Sequence, residues 1–273
     1  MMVPPLWTGS LWAMIRRLAL SAVLFLGMVA VLPAAQAVAD PSPGLTRVTE
    51  VVGDARTADR ITVLVPGAGV TPGNFQTGLG KVTRRAPAQW ARWLAAEAHD
   101  PRVAVIAWLG YLPPKGASLA VARGERADVG AHELEGYVAE LALANPHATI
   151  TLVGHSYGSV VVGHAAAALP ATVTDLVFVG SPGTGAHTAG DLGTRARVWA
   201  GRSGDDWISR IPNATILGFG HDTDPTDRYF GARALPVDGV AGHDGYFVPG
   251  TASLHALASI STTGALPEPD PAG

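Results

Sequence analysis

The chain has 273 residues and a formal net charge of −3, from 22 acidic side chains against 19 Lys and Arg, with no basic stripe. That balance excludes an electrostatic nucleic-acid binder, and the complete lack of cysteine excludes disulfides, thiolate chemistry and a lipid-modified cysteine. Stability has to come from packing, and with 48% hydrophobic residues the material for one sizeable core is present.

Arg16 and Arg17 precede an apolar run at 18–32, then Pro33 and a small-residue stretch at 34–39. This is the layout of a secretory signal peptide. Cleavage after Ala37 or after Ala39 fits the small-residue pattern, and Met14 is an alternative start. An uncleaved anchor is the rival reading, because the run is near the lower length limit for a bilayer span. The expectation is a secreted or cell-envelope protein with its signal at 1–39, one folded domain at 40–266 and a loose Pro-rich tail at 267–273. Transient association with the membrane or envelope is compatible with that route.

Along the domain, residues 40–53 offer an edge strand. The run at 60–66 (RITVLVP) reads as a buried strand ending at Gly67, and 88–99 has helical spacing with Trp90, Trp93 and Leu94 on one side. A strand follows at 103–108. The pattern at 125–144 is helical and closed by Asn145-Pro146. Residues 148–153 form a strand, and 156–169 an Ala/Val-rich helix ended by Pro170. Further strands are expected at 175–179, 197–200 and 215–219, and a closing helix at 251–260. Apolar strands alternating with helices imply an α/β fold: a mainly parallel sheet with helices on both faces, in a single domain.

Gly154-His155-Ser156-Tyr157-Gly158 lies between the strand at 149–153 and the helix that follows. A strand–turn–helix of this kind lifts a serine hydroxyl above the sheet at a helix N-terminus, so Ser156 is the candidate nucleophile. The plainer reading is a glycine-rich turn in which Ser156 only caps the helix. A serine needs a base, and in chain order the acid and then the histidine should follow. His221, His243 and His255 qualify. His255 falls inside the closing helix, and His221 opens an Asp-rich loop, whereas His243 sits in the glycine-flanked loop Gly242-His243-Asp244-Gly245 and is preferred. For the acid, Asp205 and Asp206 both follow the strand at 197–200. Asp206 is preferred because the apolar pair Trp207-Ile208 can bury it. Amides of Tyr157 and of Ala68, in the loop Pro66-Gly67-Ala68-Gly69, are the expected oxyanion donors. Trp108, Leu109 and Tyr111, with Leu112, are a possible substrate pocket or packing beneath that loop.

No phosphate-binding or dinucleotide motif follows the glycine loop. His221, Asp222, Asp224 and Asp227 could ligate calcium in part but read better as a polar surface loop. No metal or organic cofactor is expected.

The segments at 65–69, 103–111, 154–159, 177–183 and 242–247 together make the sequence similar to an actinobacterial α/β-hydrolase family catalogued as a domain of unknown function. Members often carry a long helical region before the hydrolase domain, where this chain has the signal-like segment. The resemblance implies the serine-hydrolase fold and supports Ser156, His243 and an acid at Asp206, but it brings no substrate. The expected activity is therefore acyl transfer from a small-molecule ester to water. A thioesterase, lipase, amidase or acyltransferase on the same three residues is the first rival, though no long lid insertion follows Gly180. The rival of another class is a non-catalytic binding or envelope protein on a hydrolase scaffold.

Overall fold

A computed structural model describes residues 47–115, 125–210 and 221–267. The signal segment at 1–39, the strand expected at 215–219 and residues 268–273 lie outside the described residues. Among those described, no helix is long and apolar enough to cross a membrane.

Strands β1 (Val48–Val52), β2 (Arg60–Val65), β3 (Val103–Leu109), β4 (Thr149–His155), β5 (Val173–Val179), β7 (Arg197–Gly201) and β9 (Arg233–Ala234) make one sheet, in the order β1-β3-β2-β4-β5-β7-β9. Only β1 is antiparallel to its neighbour. Strands β6 (Gly183–Ala186) and β8 (His221–Asp222) pair in a separate two-stranded ribbon. The burial patterns follow from these places. β3 is buried along its whole length, as a strand covered on both faces must be, whereas β1 alternates between half-buried and exposed positions, as an edge strand does.

Helices α1 (Pro87–Ala98) and α4 (Ala252–Thr263) pack on each other, and α2 (Glu125–Ala144) packs on α3 (Gly158–Ala165). α1 starts with Pro87, whose missing N–H costs nothing at a first helical position, and buries Trp90, Ala91 and Leu94. Thr251 caps α4 by accepting from the Leu254 amide, and Gly264 ends it at φ 73°.

The expected alternation and the parallel sheet are both present, with differences in detail. The helix expected from Ser156 begins at Gly158, because Ser156 itself has φ 54°, and it gives way to a 3-10 turn at Ala166–Ala168. The short strands β6, β8 and β9 were not expected. Each has two to four residues, too few for any periodicity to register.

The topology fixes where a site can form. From β2 the chain passes through α1 to β3 on one side, and from adjacent β4 it passes through α3 to β5 on the other. Right-handed crossovers running in opposite directions place their helices on opposite faces. The loops leaving β2 and β4 therefore diverge and open a crevice at the C-terminal edge of the sheet, where ligands bind in open α/β sheets. These are the loops that hold Ala68 and Ser156.

Candidate active site

The turn after β4 is built from its own backbone. Ser156 adopts φ 54°, a conformation costly for a residue with a side chain. Its N–H donates to the Val179 carbonyl at 3.0 Å, and its carbonyl accepts from the Ser159 amide at 2.9 Å. Gly67 is the point where the loop after β2 meets this turn. A Cβ there would lie 2.7 Å from Ser156 Cβ and 2.9 Å from the Tyr157 nitrogen, so only glycine allows the approach. The loop is braced from below: the Tyr111 hydroxyl donates to the Pro66 carbonyl at 2.6 Å, and the Gly69 amide donates to the Pro114 carbonyl at 2.8 Å.

Asp206 and His243 come together, although they are 37 residues apart in the chain. His243 Nδ1–H donates to Oδ1 of Asp206 at 2.8 Å and lies 3.0 Å from Oδ2. With that proton on Nδ1, the lone pair of the neutral imidazole is on Nε2. Asp206 also accepts from the Tyr246 hydroxyl at 2.6 Å and from the Ile208 amide at 2.9 Å. Burial pushes the Asp206 carboxyl up, but His243, Tyr246 and the Ile208 amide together outweigh it and hold the group below the usual carboxylate range. Burial, and then the Asp206 carboxylate, push the Tyr246 hydroxyl far above its ordinary value, so it remains a donor. Asp205, the alternative acid, is exposed, with its amide on Ser203 Oγ. Gly180, at φ 55° just past β5, lies against this group: a Cβ there would sit 2.9 Å from Asp206 Oδ2, 2.9 Å from Tyr246 Cε2 and 3.2 Å from His243 Nδ1.

The other expected residues take different places. His255 projects from α4 with its side chain 67% exposed and Nδ1 3.3 Å from Glu97. His221 pairs through β8 with Gly183. Asp224 is committed to Arg202 and to the Thr226 amide and hydroxyl. Of the two readings of Trp108, Leu109 and Tyr111, substrate pocket or packing beneath the loop, the structure agrees with packing: they are core residues at 0%, 1% and 2% exposure. Trp108 stacks between Tyr111 and Tyr137, and Tyr111 supports the Pro66 carbonyl. β3 is covered on both faces and runs one residue past its expected end, so Leu109 belongs to the strand together with Trp108.

Tyr246 and His155 had no assigned part in the sequence reading, and Trp207 has a different one from that expected. Tyr246 orients Asp206 and also accepts from the Ser203 amide at 3.1 Å. Trp207 was expected to cover Asp206, but Ile208 is the buried member of that pair at 2% exposure. Trp207 is 46% exposed, its ring 4.7 Å from that of His243. His155 is buried, with Nε2 2.8 Å from the His243 carbonyl. Burial, then the neighbouring His243, push its pKa down to about 4, so it is neutral near pH 7 and Nε2–H is the donor. The only sequence signals were proximity along the chain: His155 to Ser156, Tyr246 to His243 and Trp207 to Asp206.

A family model described as alpha/beta hydrolase matches residues 40–216. The chain belongs to the alpha/beta-hydrolase family. It is 28% identical over 256 residues to an uncharacterized protein of Mycobacterium tuberculosis, an alignment covering 80% of this chain and 37% of that protein. A second uncharacterized protein of that species is 34% identical over 153 residues, covering 52% of this chain and 54% of the relative. The chain thus spans less than two thirds of the length of the curated relatives it matches. Among solved structures it is similar in fold to a dienelactone hydrolase from Anabaena variabilis, with a TM-score of 0.48, 19% identity and coverage of 84% of this chain and 96% of that one. It is likewise similar to a lidless serine hydrolase from Xanthomonas campestris, with a TM-score of 0.41, 13% identity and coverage of 82% and 90%.

Proposed function

We propose that the chain is a serine hydrolase that cleaves a carboxylic ester through an acyl-enzyme on Ser156. The observation that carries this reading is the buried Asp206–His243 pair, in which His243 Nδ1–H donates to Asp206 Oδ1 at 2.8 Å, at the sheet edge where Ser156 stands in a left-handed turn. In this reading Ser156 Oγ attacks the ester carbonyl while His243 Nε2 takes its proton, and the resulting imidazolium faces the carboxylate of Asp206. The amides of Tyr157 and Ala68 receive the developing oxyanion, a reading supported by the approach of the loop after β2 to the Ser156 turn, too close at Gly67 for a Cβ. His243 then returns the proton to the departing alcohol, and water, deprotonated by the same imidazole, releases the acid.

The test is labelling by a fluorophosphonate probe, followed by hydrolysis rates over p-nitrophenyl esters of increasing acyl length. Wild-type protein is expected to label and turn over, and Ser156→Ala to lose labelling and about 10⁶-fold in kcat, the scale of removing a nucleophile that works as part of a unit. Absence of labelling in folded wild-type protein, or labelling retained by Ser156→Ala, overturns the reading. Preference for a thioester would reassign the acyl donor, and transfer to an alcohol in place of water would reassign the acceptor; both keep the serine.

The layout of residues 16–39 supports export, and residues 1–39 are proposed as its signal. N-terminal sequencing of protein recovered outside the cell is expected to start at Val38 or Asp40. A start that retains Arg16-Arg17 would overturn this.

A further inference from the structure

We infer that His155 is a positioning residue for His243: its Nε2–H, donated from the end of β4 to the His243 carbonyl, fixes the backbone that delivers the imidazole to Ser156. This rests on the serine-hydrolase reading above.

The first support is connectivity. His155 is the last residue of β4 and the immediate neighbour of Ser156, so one strand end carries the nucleophile and grips the base. That tie couples their spacing directly, across 88 residues of chain. The loop at 240–245 needs an anchor, since Gly242 sits at φ 62° with open space around it. Its other anchors come from elsewhere: Ser203 Oγ donates to the Val240 carbonyl at 2.9 Å, Asp206 holds the ring, and Arg85 pairs with Asp244 at 2.6 Å. None of these reaches the strand that carries Ser156.

The second support is the cost of the residue type. The His155 ring is enclosed by Trp90 at 5.1 Å, Tyr246 at 5.9 Å and Phe247 at 6.1 Å, with His243 at 4.8 Å. An apolar ring would fill such an enclosure without desolvating a polar group, so the imidazole has to be explained by the bond it makes. The third support is charge. His243 becomes cationic in the reaction, and a second cation 4.8 Å away in a buried site would oppose it strongly. A donor that is neutral at working pH grips the carbonyl without that repulsion, and His155 is pushed into that state by burial.

The test compares His155→Phe, His155→Gln and His155→Asn by kcat, KM and thermal midpoint on a p-nitrophenyl ester. Phe keeps an aromatic ring but has no donor, Gln can present an N–H near the position of Nε2, and Asn is too short to reach it. His155→Gln is expected to retain kcat within about threefold. His155→Phe and His155→Asn are expected to lose about 10–100-fold in kcat with KM little changed, as for a catalytic group displaced by a fraction of an ångström to an ångström. His155→Phe is also expected to be at least as heat-stable as His155→Gln, so that kcat and stability run in opposite orders. The inference is overturned if His155→Phe keeps wild-type kcat, or if kcat follows the thermal midpoint across the series. Should His155→Phe not fold, the Gln and Asn pair decides: equal kcat in those two overturns it. Ser156→Ala assayed alongside separates the two readings, because turnover surviving there removes the serine reading itself. An inactive Ser156→Ala beside a fully active His155→Phe removes only the positioning role.

Discussion

Two carboxylates are buried at opposite ends of the sheet, and they are held in different ways. Asp175, near the start of β5, is fully buried and accepts from Arg197 Nε at 2.7 Å, Arg197 Nη2 at 2.6 Å and Trp199 Nε1 at 2.9 Å. Asp206, past the end of β7, is 1% exposed and accepts from His243, Tyr246 and the Ile208 amide. The first carboxylate faces a guanidinium that is always charged, and its hydrogen bond to Asp175 raises the Arg197 pKa further. The second accepts from a phenol, a backbone amide and an imidazole, none of them a permanent cation. A carboxylate neutralised permanently serves the fold. One whose counter-charge arrives only when an imidazole takes a proton has its electrostatic work left to do during a reaction.

The contrast can be broken by crossing the same substitution between the two sites. Asp206→Asn is expected to lower kcat by about 10⁴-fold, because an amide no longer selects the Nδ1–H tautomer or stabilises the imidazolium. Steady-state kinetics check this, and a loss below tenfold would place Asp206 with Asp175. Asp175→Asn is expected to cost about 2–4 kcal/mol of stability by leaving Arg197 without its partner, while the folded fraction keeps kcat; urea unfolding paired with active-site titration measures both. Tyr246→Phe removes one donor from Asp206 and the acceptor of the Ser203 amide, and is expected to cost about 1–2 kcal/mol in stability with a smaller loss in kcat than Asp206→Asn. The smallest effect belongs to acid. The folded pKa of Asp206 lies below its ordinary value of 3.8, so the stability it contributes is complete above that value and is lost as pH falls through the folded one. Thermal midpoints at pH 5 and pH 3 should therefore diverge less in Asp206→Asn than in wild-type protein.

The parallel sheet was legible in the sequence because β2, β3, β4 and β5 are continuous apolar runs, a signal that survives without an alignment. The turn around Ser156 was legible from two glycines between a strand and a helix. The meeting of Asp206 with His243 was approachable through chain order, which brought both to the C-terminal edge. What stayed hidden depends on which way a side chain turns. Trp108 and Trp207 are both tryptophans next to a strand end or a candidate acid, yet one is in the core and the other half-exposed over His243. Composition cannot separate them, since the difference lies in β3 being covered on both faces. The same holds for His155, which precedes Ser156 in a motif whose second position tolerates many residues. Only the fold brings the His243 carbonyl to it.

Gly180 carries a consequence for handling the protein. The room it leaves beside Asp206, Tyr246 and His243 is smaller than one methyl group. Gly180→Ala would thus be a one-carbon inhibitor written into the chain, jamming the acid and base while Ser156, Asp206 and His243 all keep their own side chains. Under the proposed function, such a form would offer a bound ester every native functional group without the alignment to cleave it, which makes it a trap for identifying the substrate from a complex mixture.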